Sequence, residues 1–174
     1  MKKTISLFLS FALIALCLVS CGTHEAATAL DTLLATVKSG DFANASVITD
    51  GPFGNEDDVM MKAMYKNFDY KLGEVTENGD SADVAVTITM TDIGTVFTNY
   101  MNEAFENAND PNWDADDTRF IEMLNEDGVA TKTFDVAVSM EKAEGAWTVA
   151  DENEAFVDAL TGGLFSSLSG LVEE

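Results

Sequence analysis

The chain is poor in cysteine, histidine and positive charge, and each shortage removes a class of chemistry. Its 174 residues hold two cysteines, one histidine and two prolines, with 9 Lys+Arg against 31 Asp+Glu. Cys17 lies inside an apolar N-terminal run and Cys21 stands at its end. Beyond residue 21 there is no thiol, so disulfides, thiol catalysis and cysteine metal sites are excluded. The one histidine, His24, lies just after that run, so Ser-His-Asp catalysis and a histidine base in a domain core are excluded as well. No P-loop and no dinucleotide fingerprint occurs. A net charge of −22 leaves no room for a strongly basic face, which makes nucleic acid and anionic lipid headgroups poor partners. The charge serves solubility, or it attracts cations or a basic partner.

What is present begins with Met1 to Gly22. Lys2 and Lys3 form a positive n-region, Ile5 to Val19 an apolar h-region, and Leu18-Val19-Ser20-Cys21 a lipobox. The h-region is about fifteen residues, short of the roughly 20 that span a bilayer. The expectation is a signal peptide over residues 1–21, cleaved before Cys21, which takes the lipid (palmitate among its acyl chains). The alternatives are an ordinary secreted protein and an uncleaved anchor. Two or three acyl chains on one cysteine hold a domain stably, whereas one binds marginally. Residues 22–25 are a tether of at most about 14 Å, and residues 26–174 form a single domain large enough to bury a core without staples. The expected location is the extracytoplasmic face of a bacterial membrane. Loss of Lys2 and Lys3 takes the net charge from −22 to −24, and an acidic domain stands off anionic lipid over a Debye length of about 8 Å.

The order of elements follows from periodicity. Ala26, Ala27, Leu30, Leu33, Leu34 and Val37 recur at helical spacing over Glu25 to Lys38, and Gly40 ends that helix. A second short helix is expected over Phe42 to Ile48, and a third from a cap at Asn55 to about Asn67, with Met60, Ala63, Met64 and Phe68 inward as core filler. Asp69 to Glu77 and Asp80 to Thr91 read as a hairpin about Asn78-Gly79. In its second strand Ala82, Val84, Val86, Ile88 and Met90 alternate with Ser81, Asp83, Ala85, Thr87 and Thr89. Thr91-Asp92 opens a long helix of about sixteen residues, with Ile93, Val96, Phe97, Tyr100, Met101, Ala104, Phe105 and Ala108 on one stripe. A shorter helix follows over about Asp114 to Leu124. Thr131 to Glu141 and Ala146 to Ala150 form a second hairpin, with Trp147 and Val149 sharing a face. Asp151 to Leu160 is a final helix, and Leu164 to Leu171 an apolar tail of unassigned conformation. The fold class is α+β: a cone-like antiparallel sheet of about four strands in two hairpins, helices on one face, and the long helix inserted between the hairpins.

A two-residue Asn78-Gly79 loop would set Glu77 opposite Asp80, Val75 opposite Ala82 and Gly73 opposite Val84. Tyr70 and Leu72 would then share the Thr/Ala face with Ala85 and Thr87, and Glu74 would oppose Asp83, an unfavourable like-charge pair. Solvation of that end, a register-shifting bulge or a bound cation each resolves the conflict; solvation is the favoured reading.

Several segments resemble bacterial domains of the nuclear-transport-factor-2-like (cystatin-like) cone fold. They are Val37-Lys38-Ser39-Gly40-Asp41-Phe42, Tyr70-Lys71-Leu72-Gly73-Glu74-Val75, Ala82-Asp83-Val84-Ala85-Val86 and Glu144-Gly145-Ala146-Trp147-Thr148-Val149. Asp158-Ala159-Leu160-Thr161-Gly162-Gly163-Leu164 is similar to the ending of a subgroup of Firmicutes surface lipoproteins carried as domains of unknown function. The resemblance implies a fold, not an activity, because the superfamily holds isomerases, dehydratases and non-enzymes.

No catalytic residue, metal ligand or cofactor is assigned. Tyr70, Leu72 and Trp113 are the candidate binding surface, and a loop Trp113 folded onto its own helix is the competing reading. The sheet face assigned to Tyr70 and Leu72 is also a candidate homodimer face. The acidic stretch Asp110 to Asp117 departs from a calcium loop: Ala115 replaces the turn glycine, Ile121 holds the last ligand position and Glu122 misses it by one. The expected function is therefore a lipid-anchored, non-catalytic module for a small ligand or envelope protein. A small-molecule enzyme of the same fold and a calcium-responsive adhesion module are the alternatives.

Overall fold

The structure is a computed structural model that describes residues 24–45, 58–110, 113 and 117–172. The expected signal peptide, Cys21, the end of the expected second helix, the Asn55 cap and most of the Asp110–Asp117 stretch lie outside the described residues.

The described elements run α1 (Glu25–Lys38), a single 3₁₀ turn (Phe42–Asn44), α2 (Asp58–Tyr65), β1 (Asp69–Asn78), β2 (Ser81–Thr91), α3 (Ile93–Glu106), α4 (Asp117–Asn125), β3 (Thr131–Ala143), β4 (Ala146–Val149), α5 (Glu154–Leu160) and α6 (Leu164–Val172). The strands form one open antiparallel sheet in the order β1-β2-β3-β4. Helices cover one face, and α3 and α4 stand between the two hairpins. No described helix is long and apolar enough to cross a membrane.

Local chemistry places each element. α1 carries Glu25 in its first turn and Lys38 in its last, both complementary to the helix dipole. It stops at Gly40, whose φ of +78° closes the C-terminus. The Asp92 carboxylate accepts from the Thr95 backbone N–H (3.2 Å) and from its hydroxyl (2.9 Å), capping α3. On β2, Ala82, Val84, Val86, Ile88 and Met90 are all buried against the helices. Each of the larger ones contributes about 1.5–3 kcal/mol through burial. They meet Leu30, Leu34, Met60, Met64, Phe68, Leu124, Val138, Met140 and Phe156 in one continuous core.

The β1–β2 register differs from the expected one. Asn78 pairs with Ser81, so the turn residues are Gly79 and Asp80; Val75 opposes Val84 and Leu72 opposes Val86. Between those two pairs, Gly73 and Glu74 together face Ala85, forming a bulge. A Cβ on Gly73 would stand 3.2 Å from that of Ala85, so the extra residue is accommodated where a side chain is smallest. The bulge sets Thr76, not Glu74, opposite Asp83 and removes the like-charge conflict. It also moves Tyr70 and Leu72 off the Thr/Ala face: Tyr70 opposes Ile88, and both side chains pack toward the helix-covered core.

Two further elements go beyond or depart from the sequence expectation, which leaves the tail unassigned and makes the second helix longer. The C-terminal apolar tail is a helix, α6, seated on α3. Its approach is set by Gly94: a Cβ there would lie 2.6 Å from the Gly163 carbonyl oxygen and would collide with the Ser167 hydroxyl. Gly162, at φ +61°, is pressed against the Thr91 carbonyl, and a Cβ would come within 2.9 Å of the Ile93 nitrogen. The second expected helix is reduced, within the described residues, to the 3₁₀ turn.

Candidate functional site

Among the described residues, large apolar side chains crowd the space between the sheet and the helices. Met60, Met61, Met64, Phe68, Met90 and Phe156 are each at most 7% exposed and occupy it together. Tyr65 is buried with them; its hydroxyl donates to the Leu160 carbonyl at 2.8 Å, and burial drives its ionisation far above the ordinary tyrosine range.

One depression lies outside that core, between α1 and the edge strand β1. It is an open trough of about 730 Å³ lined by Ala27, Thr28, Asp31, Ala35 and Lys38 from α1, with His24 just before it and Ser39 just after it, and by Tyr70 and Leu72 from β1. The helix supplies one wall because 24, 27, 28, 31, 35 and 38 fall on one stripe at i, i+3, i+4 spacing. That stripe borders the buried one of Ala26, Leu30, Leu34 and Val37. Its residues are small where an exposed helix face usually carries long charged side chains, which makes the wall recessed.

Polar side-chain contacts stand at the two ends. His24 Nδ1 lies 3.1 Å from Glu77 Oε1 at one, and Lys38 Nζ donates to Asp69 Oδ1 at 2.6 Å at the other. Between them the Tyr70 hydroxyl donates to Asp31 Oδ1 at 2.8 Å and lies 3.2 Å from the Asp31 carbonyl oxygen. Burial, then the Asp31 carboxylate, pushes the Tyr70 phenol up to about 12. Lys38 holds Asp69 below the usual carboxylate range, and its ammonium sits 5.9 Å from the centre of the Tyr70 ring. The lining thus offers an aromatic face, a phenol held protonated by its surroundings, and the Asp31 carboxylate that accepts from it.

The structure brings Tyr70 and Leu72 together in this trough and leaves Trp113 apart from it. Trp113 belongs to the α3–α4 connection, where it is half-buried; its indole N–H is buried and has no hydrogen-bond partner among the described residues. Trp147 is half-buried against the core under the Lys142 ammonium, at 5.6 Å from the ring centre. Its indole N–H faces the Glu25 carboxylate without meeting hydrogen-bond geometry. Among the described residues no three of His, Cys, Asp and Glu are grouped to hold a metal ion.

The uncovered sheet face is polar. Thr87 donates to Asp135 (2.6 Å), Ser139 to Asp83 (2.8 Å), and Thr89 and Thr133 share a hydrogen bond of 3.0 Å. With Tyr70 and Leu72 on the other side, a homodimer through that face loses the two side chains expected to drive it.

Asp31 and Lys38 escaped the sequence reading because they stand on the solvent side of an amphipathic helix, where charge is the ordinary state. A signal was available in Ala27, Thr28 and Ala35, small residues on that same outward stripe.

No protein-family model matches the chain, and no curated protein matches it. One solved structure similar in part is described as a "putative lipoprotein (ycdA)" from Bacillus subtilis: 16% identical, TM-score 0.42, covering 75% of this chain and 44% of that one. The chain spans less than half the length of that protein, and a likeness at this level carries no argument about function.

Proposed function

We propose that this chain is a bacterial surface lipoprotein, anchored by lipid on Cys21, whose folded part is a non-catalytic binding module of the cone-like class its motifs resemble. The observation that carries the reading is the junction of the lipobox with the first helix: α1 begins at Glu25, a few residues after Cys21.

The same junction orients the domain. His24 pairs with Glu77 beside the first hairpin turn, and Glu25 pairs with Lys142 beside the second. The tether therefore leaves from the end of the sheet where both hairpins turn, about 10 Å of chain from the lipidated cysteine. Anchored there, that end of the sheet is the one turned toward the bilayer.

Expression of the full chain in a bacterial host fed an alkyne-tagged fatty acid tests the anchor. The wild type is expected to take the label and sediment with membranes. Cys21→Ala is expected to lose the label and accumulate as the longer precursor. An unlabelled wild type, or a labelled Cys21→Ala chain, overturns the reading.

A further inference from the structure

We propose that the α1–β1 trough and the free edge of β1 together form a docking site for an extended, cationic protein segment, which joins the sheet as a strand beside β1. The inference rests on the domain being a binding module, and is independent of the lipid.

β1 is the outer strand of the sheet, and among the described residues nothing pairs with its far side. It runs for ten residues, so a long row of N–H and C=O groups faces outward. Its bulge at Gly73–Glu74 and the charge on Lys71 guard that edge against indiscriminate pairing but leave Asp69–Leu72 and Val75–Asn78 in regular extended geometry. The trough lies alongside. From His24 to Lys38 its helical wall is about 21 Å long, room for about six residues of an added strand at ~3.4 Å each. Alternate side chains of that strand turn toward the trough, where Ala27, Ala35, Leu72 and the Tyr70 ring receive apolar groups and aliphatic stems.

Charge selects the occupant. Asp31 stands midway and Glu74 on the bulge, with Asp69 (met by Lys38) and Glu77 (met by His24) at the ends and Lys71 as the further cation, so carboxylates outnumber lysines along the site. The chain's own Lys38 already rests on the Tyr70 ring and the Asp69 carboxylate, so the seat holds an alkylammonium. A second copy of this chain is the wrong occupant: two chains of net charge −22 repel, and the β1 edges would bring Asp69, Glu74 and Glu77 against their own kind.

The test uses the full chain in neutral detergent micelles and a fluorescein-labelled octapeptide alternating lysine and valine, followed by anisotropy. Two further probes are the same peptide with every second backbone amide N-methylated, and octalysine. The alternating peptide is expected to bind, and N-methylation to weaken it by at least about tenfold, because several main-chain hydrogen bonds are lost together. Ala35→Trp fills the trough from an exposed helix position and leaves the core untouched; it is expected to weaken the alternating peptide by about tenfold. Circular dichroism and the urea midpoint check that this variant folds. Absence of binding overturns the proposal. So does octalysine binding as tightly as the alternating peptide with no response to N-methylation or Ala35→Trp, since that is attraction by charge alone. The Cys21→Ala chain is expected to bind the probe as the wild type does, so failure of the anchor and failure of the docking site are read separately.

Discussion

Where β2 runs into α3, backbone meets backbone: Gly94 lies against Gly163, and Gly162 against Thr91 and Ile93. The Gly94 N–H donates to the Gly162 carbonyl at 3.1 Å, and Tyr65 reaches Leu160 from below. At the opposite end, where the hairpins turn, α1 is tied to the sheet by exposed side chains, His24 to Glu77 and Glu25 to Lys142. The first joint depends on the absence of atoms and the second on polar side-chain contacts that water can replace. Stability should therefore reside at the glycine joint, and freedom to vary at the hairpin end, beside the proposed anchor and trough.

Substitutions can break this contrast in order of size. Gly162→Ala adds a methyl group against the Thr91 carbonyl at a positive φ, and is expected to cost about 3–4 kcal/mol, read as a lower urea midpoint. Gly94→Ala meets the Gly163 carbonyl and the Ser167 hydroxyl instead, and is expected to cost about 2–3 kcal/mol. Adding Ser167→Ala should recover only part of it, because the Gly163 carbonyl remains 2.6 Å away. Full recovery would mean that the hydroxyl alone sets the spacing. Tyr65→Phe leaves the buried Leu160 carbonyl without its donor and is expected to cost about 1–2 kcal/mol in the same assay.

Glu25→Gln at the hairpin end is expected to lower the neutral-pH midpoint only slightly, since the pair is exposed. That small difference should close in acid. The Lys142 hydrogen bond, then its charge, hold the Glu25 carboxyl below the ordinary range. The folded state thus binds fewer protons than the unfolded chain there. The stabilisation is full above the unfolded value and disappears as pH falls through the lowered one. Thermal melts across acid pH should show a shallower decline in Glu25→Gln than in the wild type. An equal decline would sharpen the contrast further by removing even this contribution from the exposed end.

The structure also shows which parts of the site were legible beforehand. The apolar residues of β1 stand at 70, 72 and 75, two apart and then three, and that skipped step is the bulge written in sequence. Taking the Asn78-Gly79 pair as the turn masked it, because a two-residue loop closes equally well one position later, at Gly79-Asp80. The consequence reaches the candidate site: Tyr70 and Leu72 were identified as exposed binding residues but placed on the wrong face. Their partners on α1 went unnoticed because a wall of a trough exists only once helix and strand lie side by side.

Periodicity, capping and turn chemistry determined the element order, the α+β class, the buried alternation of β2 and the start of α3 at Asp92, because each is encoded within one or two helical turns or a few strand residues. Tertiary structure alone decided the rest. It set the β1 register, since strand pairing is fixed by contacts between residues far apart in the chain. It made a helix of the C-terminal tail, whose apolar residues gain order only against α3. It also required glycine at 94, where nothing nearby in sequence demands one and the reason stands some seventy residues away in Gly163.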